Sequence, residues 1–204
     1  DPDWSRGLGD VYKRQKLTRE IIKDYAEQYY QHVKAFPRYI SATHSICEDI
    51  EKRRILLENL QDEENKDGDH PKLWKNFAKA LGADEKEIEK VKLDWFTKDM
   101  IDNFFSQARK SYAEGLASLY TYERQIPEIA ETKIQGLKKF YGVKSQEGLE
   151  FFEAHKSADV IHRAECEKLL DSLSKEEQIK AEAASMLTAR SVSYTHLTLP
   201  TIPG

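Results

Sequence analysis

The chain has 204 residues, of which 33% are charged and 39% are hydrophobic, and its formal net charge is −4. This length is sufficient for one domain with a sizeable core, and the mild negative charge disfavours nucleic acid or an anionic membrane as the main partner. Cys47 and Cys166 form no CxxC pair and no disulfide framework. No run approaches the roughly 18 apolar residues of a membrane span, and no signal peptide is visible. We therefore expect a cytoplasmic protein without nucleic-acid or membrane partners.

The two ends of the chain are predicted to be foreign to it. Residues 1–15 contain SRGLGDVYKRQ, and residues 191–204 contain VSYTHLTLPT. A transposase sequencing adapter encodes DVYKRQ on one strand, and its complementary strand encodes VSYTH in another frame. One short DNA end therefore explains both termini, and we exclude them from the fold, as one would an expression scar. The remainder, residues 16–190, is predicted to be one domain.

Residues 16–190 are predicted to be helical throughout, because prolines and glycines are scarce and no strand-like alternation or hairpin turn occurs. The expected fold is an all-α bundle of roughly seven helices. In chain order, the first predicted helix opens at Thr18 and is interrupted or bent at Pro37, the second covers about residues 41–64, and the third runs from Pro71 to Gly82. A short helix capped by Asp84 follows, then one at about 93–108 whose neighbour continues to Glu123. The last three are a helix from Pro127 to Gly142, one of about 25 residues capped by Ser145, and one capped by Ser174.

The hydrophobic periodicity predicts which helix faces point to the core. On the third helix, Leu73, Trp74 and Phe77 follow the period of three and four. On the second helix, the residues predicted to lie on the inner side are Ile46, Ile50, Leu56, Leu57 and Leu60.

Histidines and carboxylates occur at helical spacing in two segments of the chain, residues 155–162 and residues 63–70. In HKSADVIH, His155, Asp159 and His162 are four and three residues apart, which stacks them on one helix face. His70 follows Glu63 by seven residues, a separation of two helical turns. Glu123 ends an otherwise apolar helix stripe. Taken singly, each of these patterns is also typical of a solvated helix face.

Together, the three carboxylates and three imidazoles are typical of a metal site in a helical bundle. Such bundles build dinuclear sites from Glu and His side chains that project inward from facing helices. Imidazole combined with carboxylate suits Fe(II) or Mn(II), and the lack of thiolate ligands disfavours a structural zinc cage. Residue spacing alone leaves both readings open, a metal site and a solvated face.

The same residues resemble the motif set of the heme-oxygenase-like di-metal oxidases, which is E-x6-H, an isolated Glu and H-x3-D-x2-H. The segments AFPRYISATHSICEDIEKRRILLENLQDEEN, LYTYERQIPEIAETKIQGLKKFYG and FFEAHKSADVIHRAE are similar to the family of the Chlamydia protein associating with death domains and its bacterial relatives. The resemblance covers essentially residues 16–189. It implies a seven-helix, heme-oxygenase-like bundle, often a homodimer, whose first helix is incomplete here. It implies as metal ligands Glu63, His70, Glu123, His155, Asp159 and His162.

The resemblance also implies a chemistry. The metals would be two Fe(II), or one Mn and one Fe, with O₂ as co-substrate and an external reductant. The reaction would form 4-aminobenzoate, a folate precursor, from a tyrosine of the protein itself, with a lysine as the amino donor. The lysine falls on Lys133, and a tyrosine near the site falls on Tyr25, although a solvent-facing lysine and a tyrosine packed at the bundle edge are the ordinary interpretations.

One position departs from the family pattern. The consumed tyrosine of the family lies in a Tyr-x-x-Trp segment that precedes residue 17, and Gly9 stands at about its place. Tyr12 lies nearby but in a different sequence context. We therefore expect a complete metal site and leave the activity of this chain open.

Three alternatives remain. A thiaminase-like hydrolase needs a nucleophilic cysteine with a carboxylate partner, and neither Cys47 nor Cys166 lies in a recognisable context. A pyrroloquinoline-quinone-synthase-like enzyme would work without metal, so the full ligand set counts against it. A module that binds helical death domains belongs to another class, and the sequence offers no partner surface for it. Metal content separates the oxidase from all three.

Overall fold

The computed structural model describes residues 17–198 except Asp67, Gln125, Lys156 and Ser157, and the side chains at 127–128, 158–162 and 194–198 also lie outside the description. Within this part of the chain there are ten helices and no strand, so the prediction of an all-α fold is confirmed. The helices are α1 (Arg19–Ile46), α2 (Ile50–Glu63), α3 (His70–Ala80), α4 (Glu85–Lys90), α5 (Trp95–Lys110), α6 (Tyr112–Glu123), α7 (Ile126–Phe140), α8 (Gln146–His155), α9 (Ala158–Asp171) and α10 (Lys175–Thr198).

Side-chain caps determine where most helices begin. An oxygen of the residue before the helix accepts a hydrogen bond from a backbone N–H of the first turn, which contributes about 1 kcal/mol per cap. The predicted caps at Thr18, Asp84, Ser145 and Ser174 all make such bonds. Further caps of this kind are Asp49, Asp69, Asp94 and Ser111.

The first helix is longer than predicted, and this displaces the second. Pro37 lies inside α1, which continues to Ile46 rather than ending near the proline. An interior proline costs about 3 kcal/mol because one backbone hydrogen bond is lost. Here the turns beyond it bury Tyr39, Ile40 and Thr43, and this packing outweighs the local cost.

Helix α2 therefore begins at Ile50, and its inner face differs from the predicted one. Ile46, Ile50 and Leu57 are exposed, whereas Leu56 is buried and Leu60 is half-buried. The buried stripe of α2 consists of Leu56, Asn59 and Glu63. The prediction failed because it assumed that the inward face would be apolar, and two of its three members are polar.

The core lies around α1, which packs against α2, α3, α5 and α6. Trp74 of α3 is fully buried and donates its indole N–H to the carbonyl oxygen of Ala26 at 2.7 Å, which ties α3 to α1. Gly115 lies where α6 crosses α1, and a Cβ atom there would collide with Thr43. On its other side α3 packs against α8, so α3 connects the central helix to the segment that carries His155.

The predicted domain limits are not decided by these helices. Residues 1–15 lie outside the described part of the chain, and α10 extends past residue 190, with Ser191 and Val192 buried. The limits of 16 and 190 stay predictions. Within the described residues, no helix combines the length and the apolar character that crossing a membrane requires.

Candidate metal centre

Glu63 and His70 meet at the junction of two helices. Glu63 is the last residue of α2, and His70 is the first residue of α3, so a turn separates them rather than two turns of one helix. Both side chains are about 95% buried. His70 Nδ1 lies 2.7 Å from Glu63 Oε2, but not at the angles of a hydrogen bond, and it has no hydrogen-bond partner among the described residues. The imidazole of His70 and the carboxylate of Glu63 thus form a close, buried pair.

The Glu63 carboxylate changes the pKa of the neighbouring His70. Burial disfavours a protonated imidazole, but the adjacent Glu63 carboxylate outweighs burial and raises the pKa of His70. The carboxylate therefore attracts positive charge to this place, whether it comes from a proton or from a metal ion.

His155 completes a group of three. It ends α8 and is buried, and its ring lies against that of His70 with 4.3 Å between the centroids. Its Nδ1 donates to the carbonyl oxygen of Phe151 at 2.6 Å, because a carbonyl can only accept. This bond fixes the tautomer and leaves Nε2 as the atom able to bind a metal.

Glu63, His70 and His155 each offer a ligand atom, and these atoms lie within 4.8 Å of one another. Ligand atoms that share a first-row metal at about 2.0–2.2 Å are separated by about 3–4 Å, so small side-chain adjustments would bring all three to one ion. The donor set of one carboxylate and two imidazoles suits Fe(II) or Mn(II). The three residues therefore fit the metal that the sequence predicts.

Glu123 is buried at the end of α6, close to α2 and α9. Its Oε1 accepts a hydrogen bond from Asn59 Nδ2 at 2.8 Å, and its Oε2 lies 3.9 Å from Cys166 Sγ. It is not part of the compact group of three, so its role as a ligand to a second ion stays a prediction. The predicted ligands Asp159 and His162 have side chains outside the described part, and their roles stay predictions too.

Lys133 and Tyr25, the two predicted catalytic residues, lie together. Lys133 Nζ is 3.2 Å from Tyr25 OH, and both side chains are buried. Burial lowers the pKa of Lys133 to about 7. A large share of this amine is therefore neutral near pH 7, which gives it a lone pair that an ordinary surface lysine lacks.

A cavity of about 40 Å³ adjoins Lys133. Its walls include Tyr29, Trp74 and Tyr122, together with Phe151, whose ring also packs on His155. Such a volume holds one or a few water-sized molecules, whereas a cavity of about 150 Å³ is known to hold benzene.

Sequence reasoning did not identify Asn59, Cys166 and the aromatic wall of the cavity. Asn59 stands four residues before Glu63, so it lies on the same face of α2, and this spacing was a usable signal. Cys166 touches Glu123, which is the pairing that a thiaminase-like hydrolase would need. However, burial raises the pKa of the Cys166 thiol well above its usual range, so the thiolate nucleophile of such an enzyme is disfavoured.

Comparison with known proteins identifies the family of the chain. The sequence model of a family described as iron-containing redox enzymes matches residues 23–194. A protein of Chlamydia trachomatis named 4-aminobenzoate synthase is 40% identical over 190 residues, which are 93% of this chain and 79% of that protein.

Two solved structures share the fold. One is a domain of unknown function with a heme oxygenase-like fold from Shewanella denitrificans (TM-score 0.76, 16% identity, 92% of this chain and 82% of that one). The other is a CADD-like protein of unknown function from Nostoc punctiforme (TM-score 0.76, 13% identity, 97% of this chain and 95% of that one). At these identities the two structures support the fold alone. The chain has a heme-oxygenase-like fold, and by its sequence it is an enzyme that belongs to the family of iron-containing redox enzymes.

Proposed function

We propose that the protein is a di-metal oxidase that activates O₂ in the formation of 4-aminobenzoate, with the aromatic ring taken from a tyrosine of the protein. The observation that carries this proposal is the convergence of Glu63, His70 and His155 within 4.8 Å in the buried interior. A buried carboxylate beside two buried imidazoles is a donor set that a bound cation would stabilise.

The ligand residues hold the metals from separate helices. Glu63, His70 and His155 would hold one ion, and Glu123, Asp159 and His162 would hold the other. Reduced iron or manganese at these residues would supply the electrons that activate O₂, with an external reductant as their source. The bond from His155 Nδ1 to the Phe151 carbonyl keeps the His155 ring oriented for binding.

Lys133 supplies the amino group in this proposal. Its amine lies in an aromatic interior, where burial lowers its pKa to about 7, so a neutral nucleophile is present at physiological pH. Tyr25 holds the amine in place through the contact of 3.2 Å and is the phenol beside it.

The metal site is tested first, by elemental analysis after expression with iron and manganese supplied. We expect about two metals per chain, and loss of metal in His155→Ala. His44→Ala, at the far end of α1, is the matched control and keeps the full content. A folded wild-type protein without tightly bound metal would refute the oxidase and favour a metal-free enzyme or an interaction module.

The product is tested separately. The protein, labelled with ¹⁵N-lysine, is loaded with metal, reduced and exposed to O₂, and 4-aminobenzoate is sought by mass spectrometry. Any product that forms should contain ¹⁵N, and Lys133→Met should form none, whereas a wild-type chain that forms no product would agree with the missing Tyr-x-x-Trp segment. Lys138→Met, an exposed lysine of the same helix, is the control. Unlabelled product, or full yield from Lys133→Met, would refute the role of Lys133.

A homodimer stays part of the proposal, and light scattering tests it.

A further inference from the structure

A buried amide contacts one of the acidic side chains of the site. Asn59 of α2 is 3% exposed and Glu123 of α6 is 2% exposed, and Asn59 Nδ2 donates to Glu123 Oε1 at 2.8 Å. Asn59 precedes Glu63 by one helical turn on the buried stripe of α2. Helix α2 therefore carries the predicted ligand Glu63 and also Asn59, whose amide donates a hydrogen bond to the predicted ligand Glu123 of α6.

Fold stability does not explain this amide. Asn59 Oδ1 is buried and has no hydrogen-bond partner among the described residues. A buried acceptor without a partner costs about 1–3 kcal/mol. The one side-chain hydrogen bond that Asn59 makes with the described residues is the one to Glu123. An apolar residue of similar size would avoid the unpaired acceptor, so the reason for an amide at this position lies in its partner.

We propose that Asn59 is a positioning residue, which orients the Glu123 carboxylate so that it can bind metal. A donor fixed on Oε1 restricts rotation of the carboxylate and determines which lone pairs face the site. Cys166 Sγ donates a longer, weaker contact to the other oxygen, Oε2, at 3.9 Å. Asn59 thereby couples the end of α2, with Glu63, to the end of α6, with Glu123. This inference rests on the proposed function, because it assigns Glu123 to a metal.

The test compares Asn59→Leu with the wild type and with Asn103→Leu. Asn103 lies on α5 and donates to Thr188 and Ser191 of α10, so the same substitution removes side-chain hydrogen bonds away from the site. Mn(II) affinity is measured by titration, and the Mn(II) environment by electron paramagnetic resonance. We expect Asn59→Leu to bind one of the two ions about 10–100-fold more weakly, with a changed spectrum. We expect Asn103→Leu to keep both properties.

The outcomes separate this inference from the proposed function. If the wild type binds no metal, the proposed function fails. If the wild type binds two ions and Asn59→Leu binds them with the same affinity and spectrum, the positioning role of Asn59 is refuted and the function stands. Circular dichroism checks that each variant is folded. Asn59→Ala is the second variant, because it removes the amide without adding volume, and the same outcomes apply to it.

Discussion

The buried amine of Lys133 should make the stability of the protein depend on pH in a predictable direction. Its side chain is 8% exposed, and burial lowers its pKa from 10.5 to about 7. The unfolded chain therefore takes up the proton of this lysine before the folded protein does. Above pH 10.5 the amine is neutral in both states and no penalty exists. As pH falls from 10.5 towards 7, the folded state loses stability, and below 7 the loss is complete.

The magnitude follows from the size of the shift. Each pKa unit corresponds to about 1.4 kcal/mol, so the penalty at neutral pH is on the order of 4 kcal/mol. Replacing Lys133 by methionine keeps an unbranched side chain and removes the charge, but also removes the contact with Tyr25, a loss of about 1 kcal/mol. We expect Lys133→Met to raise the free energy of unfolding by about 2–4 kcal/mol at pH 7.

The assay is urea unfolding followed by circular dichroism, on metal-free protein, at several pH values between 6.5 and 10. The advantage of Lys133→Met should shrink as pH rises, because the wild-type amine becomes neutral in the unfolded state as well. Lys138→Met, an exposed change in α7, should show no such trend. A difference that is constant with pH, or a variant less stable than the wild type throughout, would show that Lys133 is charged and well solvated in the fold.

Three further outcomes are expected. His70→Ala should remove tightly bound metal in elemental analysis while the protein stays folded, because it deletes one of three converging ligands. Gly115→Ala should lower stability by about 1–3 kcal/mol in thermal unfolding, since its Cβ would collide with Thr43. Gly68→Ala should change little, because its Cβ would make an ordinary contact with Leu73 at 3.7 Å. Burial lowers the pKa of His32 to about 3, and neither ring nitrogen has a hydrogen-bond partner among the described residues. His32→Phe should therefore be more stable than the wild type, and more so at pH 5 than at pH 7, because the wild type loses stability as pH falls from 6.5 towards 3.

Much of the fold follows from local signals in the sequence. The scarcity of proline and glycine predicted an all-α bundle, and capping residues predicted where helices begin, because a cap depends on three or four neighbouring residues. Gly82 and Gly142, with φ of 96° and 69°, lie where two helices were predicted to end. Pro37 was misjudged, because its local cost is exceeded by packing that involves distant helices.

The candidate site was likewise predicted in part from the sequence, and the rest depends on the tertiary structure. The residue types and spacings of Glu63, His70 and His155 made them candidate ligands, and the family resemblance implied that role, which stays a prediction. Their convergence required the turn between α2 and α3 and the packing of α3 against α8. No spacing rule predicts that Asn59 contacts Glu123, which is 64 residues away in the chain. The lowered pKa of Lys133 is likewise a property of its burial, and burial is decided by how the helices pack together.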